Sequence, residues 1–331
     1  MGRHVSWRAG GAVERAYWPA DLDDLCVFLR SLPSDEPVHF VGLGSNLLVR
    51  DGGLRGTVIF THWALRGIAL GASSDAEGEI SVYAGVAAPK VARFAAMHDL
   101  VNAEFLAGIP GTIGGALAMN AGCYGGETWN IVRKVVVVDR SGNIHTRTAA
   151  QYRVGYRSVV KRCSQIASVP PAAALQRRTG LDEWFVSAVF ALPRGDGGTS
   201  RLKVKELLSR RIASQPLGEP NAGSVFRNPP ANYAAKLIEE CGLKGRVIGG
   251  AVISPKHANF IVNTGTASAA DIEALIELAQ TAVKQKFGME LEREVRIVGE
   301  RDEGGTLRDE GGGMRDEGKG RTHKGADGGV N

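Results

Sequence analysis

Gly42-Leu-Gly-Ser-Asn-Leu-Leu-Val-Arg-Asp-Gly-Gly-Leu-Arg-Gly56 follows directly on a short strand-like run, Val38–Val41. A strand running into Gly-x-Gly invites a Rossmann reading. That fingerprint needs a third glycine three positions after the second, and Leu47 stands there. A Rossmann fold is therefore disfavoured. The chemistry of the segment survives the exclusion. Glycines without Cβ let backbone N–H groups come close to a pyrophosphate, and Ser45 and Asn46 add side-chain donors. The same pattern also suits a tight turn between strands.

Two more segments carry more special residues than folding alone needs. Gly108-Ile-Pro-Gly-Thr-Ile-Gly-Gly-Ala-Leu-Ala-Met-Asn-Ala-Gly-Cys-Tyr-Gly-Gly126 has glycine at 108, 111, 114, 115, 122, 125 and 126. Such density costs chain entropy on folding, which a closely held ligand or unusual dihedrals can offset. A helix packed through its glycines against a sheet is the alternative. Gln215–Pro230 holds Asn221, Ser224, Arg227 and Asn228 in a stretch stiffened by four prolines, the pattern of a preorganised site. Ser224 is not a hydrolase nucleophile elbow, because Ala222 and Phe226 fill the flanking glycine positions. A serine can still act as a proton donor where its neighbours stabilise the alkoxide.

Outward from these segments the chain reads as mixed α/β. Pro19–Leu32 has helical periodicity, with Leu22, Leu25, Cys26 and Leu29 on one face. Val135–Val138 is a β-branched run that turns at Asp139-Arg-Ser-Gly, and Trp184–Leu192 is another strand. The clearest helix spans Ala269–Phe287. Ser268 and Asp271 form a capping box at its start, Ile272, Leu275, Ile276, Ala279 and Val283 line one face, and Gly288 closes it. Val295–Val298 reads as a last strand.

The bulk numbers exclude several classes. In 331 residues, 44% are hydrophobic and 23% charged, as in ordinary soluble globular proteins. No apolar run approaches the roughly 20 residues of a membrane span, and no apolar signal core follows Met1–Arg8, so a cytoplasmic protein without membrane attachment is expected. Cys26, Cys123, Cys163 and Cys241 form no metal-ligand spacing, so neither a metal site nor a disulfide framework is expected. The net charge of +5 is uneven: residues 300–331 hold six basic and eight acidic side chains, which leaves +7 on residues 1–299. A modest positive field suits small anions, and the lack of a basic stripe with interleaved aromatics argues against nucleic acid. Three imperfect heptads beginning at Arg301, Arg308 and Arg315 share glycine at their fourth position. Residues 300–331 are therefore expected to be a disordered tail.

Five collinear blocks resemble the UDP-N-acetylenolpyruvoylglucosamine reductase family. They are GLGSNLLVRDGGLRG from Gly42, GIPGTIGGALAMNAGCYGGE from Gly108, QPLGEPNAGSVFRNP from Gln215, GLKGRVIGGAVISPKHANFIVN from Gly242 and LEREVRIVG from Leu291. With the opening SWRAGGAVERAYWPADLDDL, the resemblance covers about residues 5–299. It implies an α/β (α+β) protein with a two-lobed FAD-binding fold of the vanillyl-alcohol-oxidase type and a smaller α+β substrate-binding domain. The lobes are expected at 1–62 and at 63–210 with 290–299, and the substrate domain at 211–289. The late strand would thus return to the second lobe. The short span from Lys161 to Trp184 is similar to the branch without an extra tyrosine-bearing substrate loop.

The resemblance also implies the chemistry. NADPH would reduce FAD, and the enolpyruvyl ether of a UDP-sugar would become a lactyl ether, in a protein expected to be monomeric. Ser224 matches the family's proton donor, Glu294 its carboxyl at the enolate, and Arg157 the arginine that balances substrate charge. Such a glutamate must be protonated or tightly hydrogen-bonded, since a bare carboxylate repels the developing charge. Gly44, Ser45 and Asn46 are expected at the pyrophosphate, and Ile109, Pro110, Gly111, Thr112, Gly115 and Ala116 along the cofactor. Arg211, Asn228 and His257 are assigned to the UDP-sugar, although His257 equally suits a core position. One departure stands out. The family continues Tyr-Arg-x-Ser-x-Phe, whereas this chain reads Tyr156-Arg-Ser-Val-Val-Lys161: either Ser158 has shifted by a deletion, or Val159 replaces the serine.

Overall fold

Asp21 decides where the first helix begins. Its side chain accepts the Asp24 N–H at 2.8 Å, so helix α1 spans Leu22–Ser31 rather than the whole periodic stretch from Pro19. The protein is described by a computed structural model over residues 1–162 and 183–302. The expected disordered tail and the expected absence of a tyrosine-bearing insertion, like Cys163, therefore lie wholly or largely outside the described residues. Around α1, strands β1 (Val13–Tyr17), β2 (Val38–Val41) and β4 (Leu54–Phe60) form a parallel sheet with β4 central, while β3 (Leu47–Val49) stands apart from it.

The next elements build a larger antiparallel sheet. Strands β5 (Ile68–Ser73) and β6 (Glu77–Tyr83) are followed by helices α2 (Ala88–Met97) and α3 (Ile113–Ala118). After the short β7 (Gly122–Cys123) and β8 (Gly126–Glu127) come β9 (Val132–Asp139), β10 (Ile144–Thr148), the hairpin β11 (Tyr152–Gly155) and β12 (Ser158–Lys161), and β13 (Glu183–Pro193). The five-stranded order is β10-β9-β13-β6-β5. Val135 and Val137 face the core that contains α2 and α3, whereas Val136 and Val138 face the core that contains α1. Both faces of β9 are covered, which explains an unbroken valine run where a half-solvated strand would alternate. The expected turn is present, with Asp139 accepting the N–H groups of Ser141 and Asn143 at 2.9 Å each.

Helix α4 (Gly197–Ser214) leads into the last unit: α5 (Ala234–Glu240), the antiparallel strands β14 (Val247–Ile248), β15 (Ala251–Ile253) and β16 (Ile261–Asn263), and α6 (Ala269–Phe287). Both predicted ends of α6 are present: the Ser268–Asp271 capping box, and Gly288 in the left-handed region at φ 67°. All five predicted face residues of α6 are buried. The late strand β17 (Arg296–Val298) departs from expectation. It pairs in parallel with β3, within residues 1–62, and not with the sheet of the second lobe. The reason is packing: Leu48 of β3 shares a core with Leu291, Val295 and the α6 face.

Two contacts fasten the N-terminal lobe to this last unit. Trp7 is fully buried; its indole donates to the Ile261 carbonyl at 2.7 Å, and Asn263 Nδ2 returns a bond to the Trp7 carbonyl at 2.8 Å. Beside β3, Arg50 grips Glu273 of α6 through Nε (2.9 Å) and Nη2 (2.8 Å), while the Asp51 carboxylate accepts the N–H groups of Ala269 and Ala270 at the start of α6. The Arg50 hydrogen bond holds the Glu273 carboxyl below its ordinary value of 4.5. A lowered folded-state pKa contributes stability that is complete above the ordinary glutamate range and is lost as pH falls through the lowered value. Glu273→Ala is expected to cost on the order of 3 kcal/mol near pH 7 in urea unfolding, because it strands Arg50. The gap to the wild type should narrow on acidification through the carboxylate range. A deficit that stays constant down to about pH 3 would contradict the assignment.

Candidate active site

Where the three units meet, a cleft of about 410 Å³ opens between the two glycine-rich segments on one side and residues 215–228 and 294–296 on the other. Two adjoining walls form the first side: Gly44, Ser45 and Asn46 in one, and Ile109, Pro110, Gly111, Thr112, Gly115 and Ala116 in the other. Glycine is required where these walls approach. A Cβ on Gly42 would lie 2.2 Å from Thr112 Oγ1, so the walls could not close. Gly115 is the opposite case: its Cβ would meet only Thr112 Oγ1, at 3.9 Å, so the absent side chain leaves open cleft.

The polar groups along these walls are arranged for a guest. Thr112 Oγ1 is buried without a partner, an uncompensated cost unless something in the cleft bonds it. The backbone N–H groups of Ser45 and Asn46 have no protein acceptor among the described residues. Helix α3 supplies fewer free donors than its place suggests, because its Ile113 and Gly114 N–H groups bond the Val86 and Ala84 carbonyls. Anion-binding capacity on this wall therefore rests with the Gly44–Asn46 turn, where Gly44 takes φ 59°.

The other end of the cleft is charged. Arg157 stands at the tip of the β11–β12 hairpin and reaches Glu294 at 2.6 Å, both side chains largely buried. Tyr156 donates to the same carboxylate at 3.4 Å, and its ring lies between the Arg157 and Arg227 guanidinium groups, 5.6 and 5.4 Å from the ring centre. Desolvation, then the Glu294 charge, raises the Tyr156 phenol above its ordinary pKa, so it remains a donor. Glu294 is thus held by Arg157 and Tyr156, which meets the second of the two alternatives for a glutamate in this role, protonation or tight hydrogen bonding.

Ser224 lines the same cleft from a loop entered through Gly223 at φ 76°. The loop is held by a ladder not legible in the sequence. Val225 N–H bonds Asn259 O, Glu294 N–H bonds Val225 O, and Arg227 N–H bonds Glu292 O, at 2.8–2.9 Å. The Asn259 side chain doubles this tie, accepting from Phe226 N–H at 3.0 Å and donating to Phe226 O at 2.8 Å. Ser224 and Glu294 are therefore carried by two segments bonded to each other.

The residues assigned to a nucleotide sugar divide. Arg211, near the end of α4, lines the cleft; it donates to the Gly108 carbonyl, and to Gln215 Oε1 at 2.7 Å. Asn228 also lines it, while its Oδ1 caps α5 by accepting Ala234 N–H at 3.1 Å. His257 does not line it. Its ring packs edge-on against Phe260 with centres 4.8 Å apart, and Nδ1 accepts Asn259 N–H at 3.3 Å, so it supports residues that do reach the cleft. Sequence reasoning missed Tyr156, Asn259 and Arg296. Arg296 was within reach of it, since extended backbone puts residues two apart on one face and Glu294 was already assigned. Arg296 is open to the cleft yet walled by protein, and desolvation lowers its pKa; an arginine remains charged even so.

Comparison with known proteins agrees with this geometry. Residues 14–148 match an FAD binding domain, and residues 215–298 match the C-terminal domain of UDP-N-acetylenolpyruvoylglucosamine reductase. The reductase of that name from Nitrosospira multiformis is 56% identical over 304 residues, 90% of this chain and 87% of the relative. That from Thiobacillus denitrificans is 54% identical, covering 91% of each chain. The crystal structure of UDP-N-acetylenolpyruvylglucosamine reductase from Thermus caldophilus superposes with a TM-score of 0.68 at 28% identity, covering 89% of this chain and 96% of that one. The chain belongs to the UDP-N-acetylenolpyruvoylglucosamine reductase family.

Proposed function

We propose that this protein is a flavin-dependent reductase that converts UDP-N-acetylglucosamine enolpyruvate into UDP-N-acetylmuramate for peptidoglycan precursor synthesis. One observation carries the reading: a glycine-walled cleft with unpaired donors ends at the Arg157–Glu294 pair and the Ser224 loop. The names of its close relatives point to the same substrate. The walls suit FAD, since they offer an orphaned hydroxyl at Thr112, free N–H groups at Ser45 and Asn46, and open space at Gly115. Gly44, Ser45 and Asn46 would hold its pyrophosphate, and Ile109–Thr112, Gly115 and Ala116 would run along it. When bound, FAD supplies a hydride taken from NADPH.

The protein's own residues deal with the charge and the proton. Reduction of the vinyl group at the carbon distal to the carboxylate leaves negative charge on the adjacent carbon, spread into the carboxylate. Arg157, already oriented by Glu294, would balance that charge, and Arg296 adds a second cation in the cleft. Ser224 would donate the proton that completes the lactyl ether. Arg211 and Asn228 would bind the UDP-sugar, with His257 acting only through Asn259 and Phe260. Residues 1–62 and 63–210 would form the FAD-binding lobes and 211–289 the substrate domain, with 290–299 tying the first lobe to the third. The reading carries with it a cytoplasmic, monomeric protein.

The purified protein should be yellow, bleach on anaerobic addition of NADPH and recolour when the UDP-enolpyruvyl sugar is added. A colourless protein that cannot be loaded with FAD would overturn the proposal. Ser224→Ala should bleach at the wild-type rate yet recolour roughly 10²-fold more slowly or worse, the usual worth of a positioned acid. Loss of both half-reactions together would remove Ser224 from that role.

A further inference from the structure

Arg157 is the second residue of the two-residue turn that joins β11 to β12. Its backbone is in the left-handed region at φ 51°, which a residue with a Cβ adopts only when its surroundings require it. The serine next to Arg157 gives it no support. Ser158 is exposed, and Val159 opposite Val154 is buried in the second-lobe core. Val159 thus occupies the inward position of β12.

Support comes from Asn120 instead. This residue follows α3, is almost fully buried, and takes φ 40°. Its amide nitrogen donates to the Gly155 carbonyl at 3.2 Å, at the root of the Tyr156–Arg157 turn, and to Glu127 Oε2 at 2.8 Å. Its oxygen accepts the Trp129 N–H at 3.2 Å. Asn120 does not line the cleft, although Met119 and Ala121 on either side of it do. One buried side chain therefore links the helix that forms the glycine-rich wall to the turn that carries the arginine.

We propose that Asn120 is a positioning residue for Arg157: its bond to Gly155 sets the turn so that the guanidinium meets Glu294 and the substrate carboxylate together. The proposal rests on the role given to Arg157 above. Asparagine suits the position twice over, since it tolerates positive φ and presents donor and acceptor at once. Glu127 fixes which way the amide points, because a carboxylate accepts only from the nitrogen.

Asn120→Asp is the sharpest probe, since it keeps the shape, the tolerance of positive φ and the acceptor for Trp129, but replaces both donations with contacts between acceptors. The holoenzyme is examined one half-reaction at a time. Bleaching by NADPH and FAD content should stay within about twofold of wild type, while single-turnover recolouring by the UDP-enolpyruvyl sugar should slow about tenfold or more, the scale on which misplacement of a reacting group acts. In an Arg157→Ala background, Asn120→Asp should cause no further slowing, because the residue it positions is gone. Recolouring at the wild-type rate in Asn120→Asp, or a full additional loss in the Arg157→Ala background, overturns the proposal. If Asn120→Asp does not retain FAD, Asn120→Gly, which accepts the same φ and removes every side-chain contact, is read by the same two criteria. A wild-type protein that bleaches but never recolours would refute the function itself, an outcome separate from either result with the variants.

Discussion

Everything at the site depends on one segment, Leu291–Val298, being hydrogen-bonded on both sides. Toward the third unit it exchanges backbone bonds with Val225 and Arg227; toward the first lobe Arg296 N–H bonds Asn46 O and β17 pairs with β3. A single segment thus fixes the Ser224 loop, Glu294 and the Asn46 turn relative to one another. Backbone bonds of this kind are directional and short, so they hold three units in register where apolar packing alone would let them slide. Asn46 Nδ2 adds a bond to the Glu294 carbonyl at 3.2 Å, joining the phosphate-type turn directly to the acidic residue.

The electrostatics of the cleft follow from that register. Arg157, Arg211 and Arg296 face one carboxylate, Glu294. An excess of cations in a site partly closed to water is what a ligand with phosphates and a carboxylate needs, and the Arg157–Glu294 pairing offsets part of the cost of burying those two charges. The pairing has a second effect. A guanidinium held by a carboxylate and by the Tyr156 ring is pre-oriented, so less side-chain entropy is lost when a substrate carboxylate arrives. This combination makes an enolate-stabilising role compatible with an acidic residue in the same place.

How much of this could be read in the sequence depends on the range of the interaction. The α6 capping box, its buried face and its Gly288 terminus are local, and all were legible. So was the grouping of Ser45, Thr112, Arg157, Ser224 and Glu294, though only through resemblance to a family; glycine density said that something close was needed, not which blocks faced each other. The missed features join distant positions. Trp7 bonds Ile261, Arg50 bonds Glu273, and Asn259 embraces the Phe226 backbone across 33 residues. Nothing periodic marks such pairs. The late strand was misplaced for the same reason: its apolar pattern fixed its conformation, but its partner is chosen by the core that Leu48 shares with Leu291 and Val295. His257 admits two readings. The sequence suits a substrate contact and a core histidine alike, and the contacts of its ring with Phe260 and Asn259, away from the cleft lining, agree with the second.

The hairpin shows why a valine two residues after Arg157 is tolerated. A turn bearing a left-handed arginine stores strain on the order of 1–2 kcal/mol, so it must be held at both ends. At its root the buried Glu183 carboxylate takes the Tyr152 hydroxyl at 2.7 Å, Lys161 Nζ at 2.7 Å and Arg147 Nη2 at 3.1 Å, joining both hairpin strands to the main sheet. Those bonds outweigh desolvation and keep the carboxyl below its ordinary pKa, which favours the ionised form of the anchor. At its tip the Asn120 amide takes the Gly155 carbonyl. With both ends fixed, the residue two after the arginine is free to serve the core, and Val159 contributes apolar burial where a hydroxyl would have had to find a partner. The inward position of β12 thus serves the core, while the turn is held by the buried groups around it.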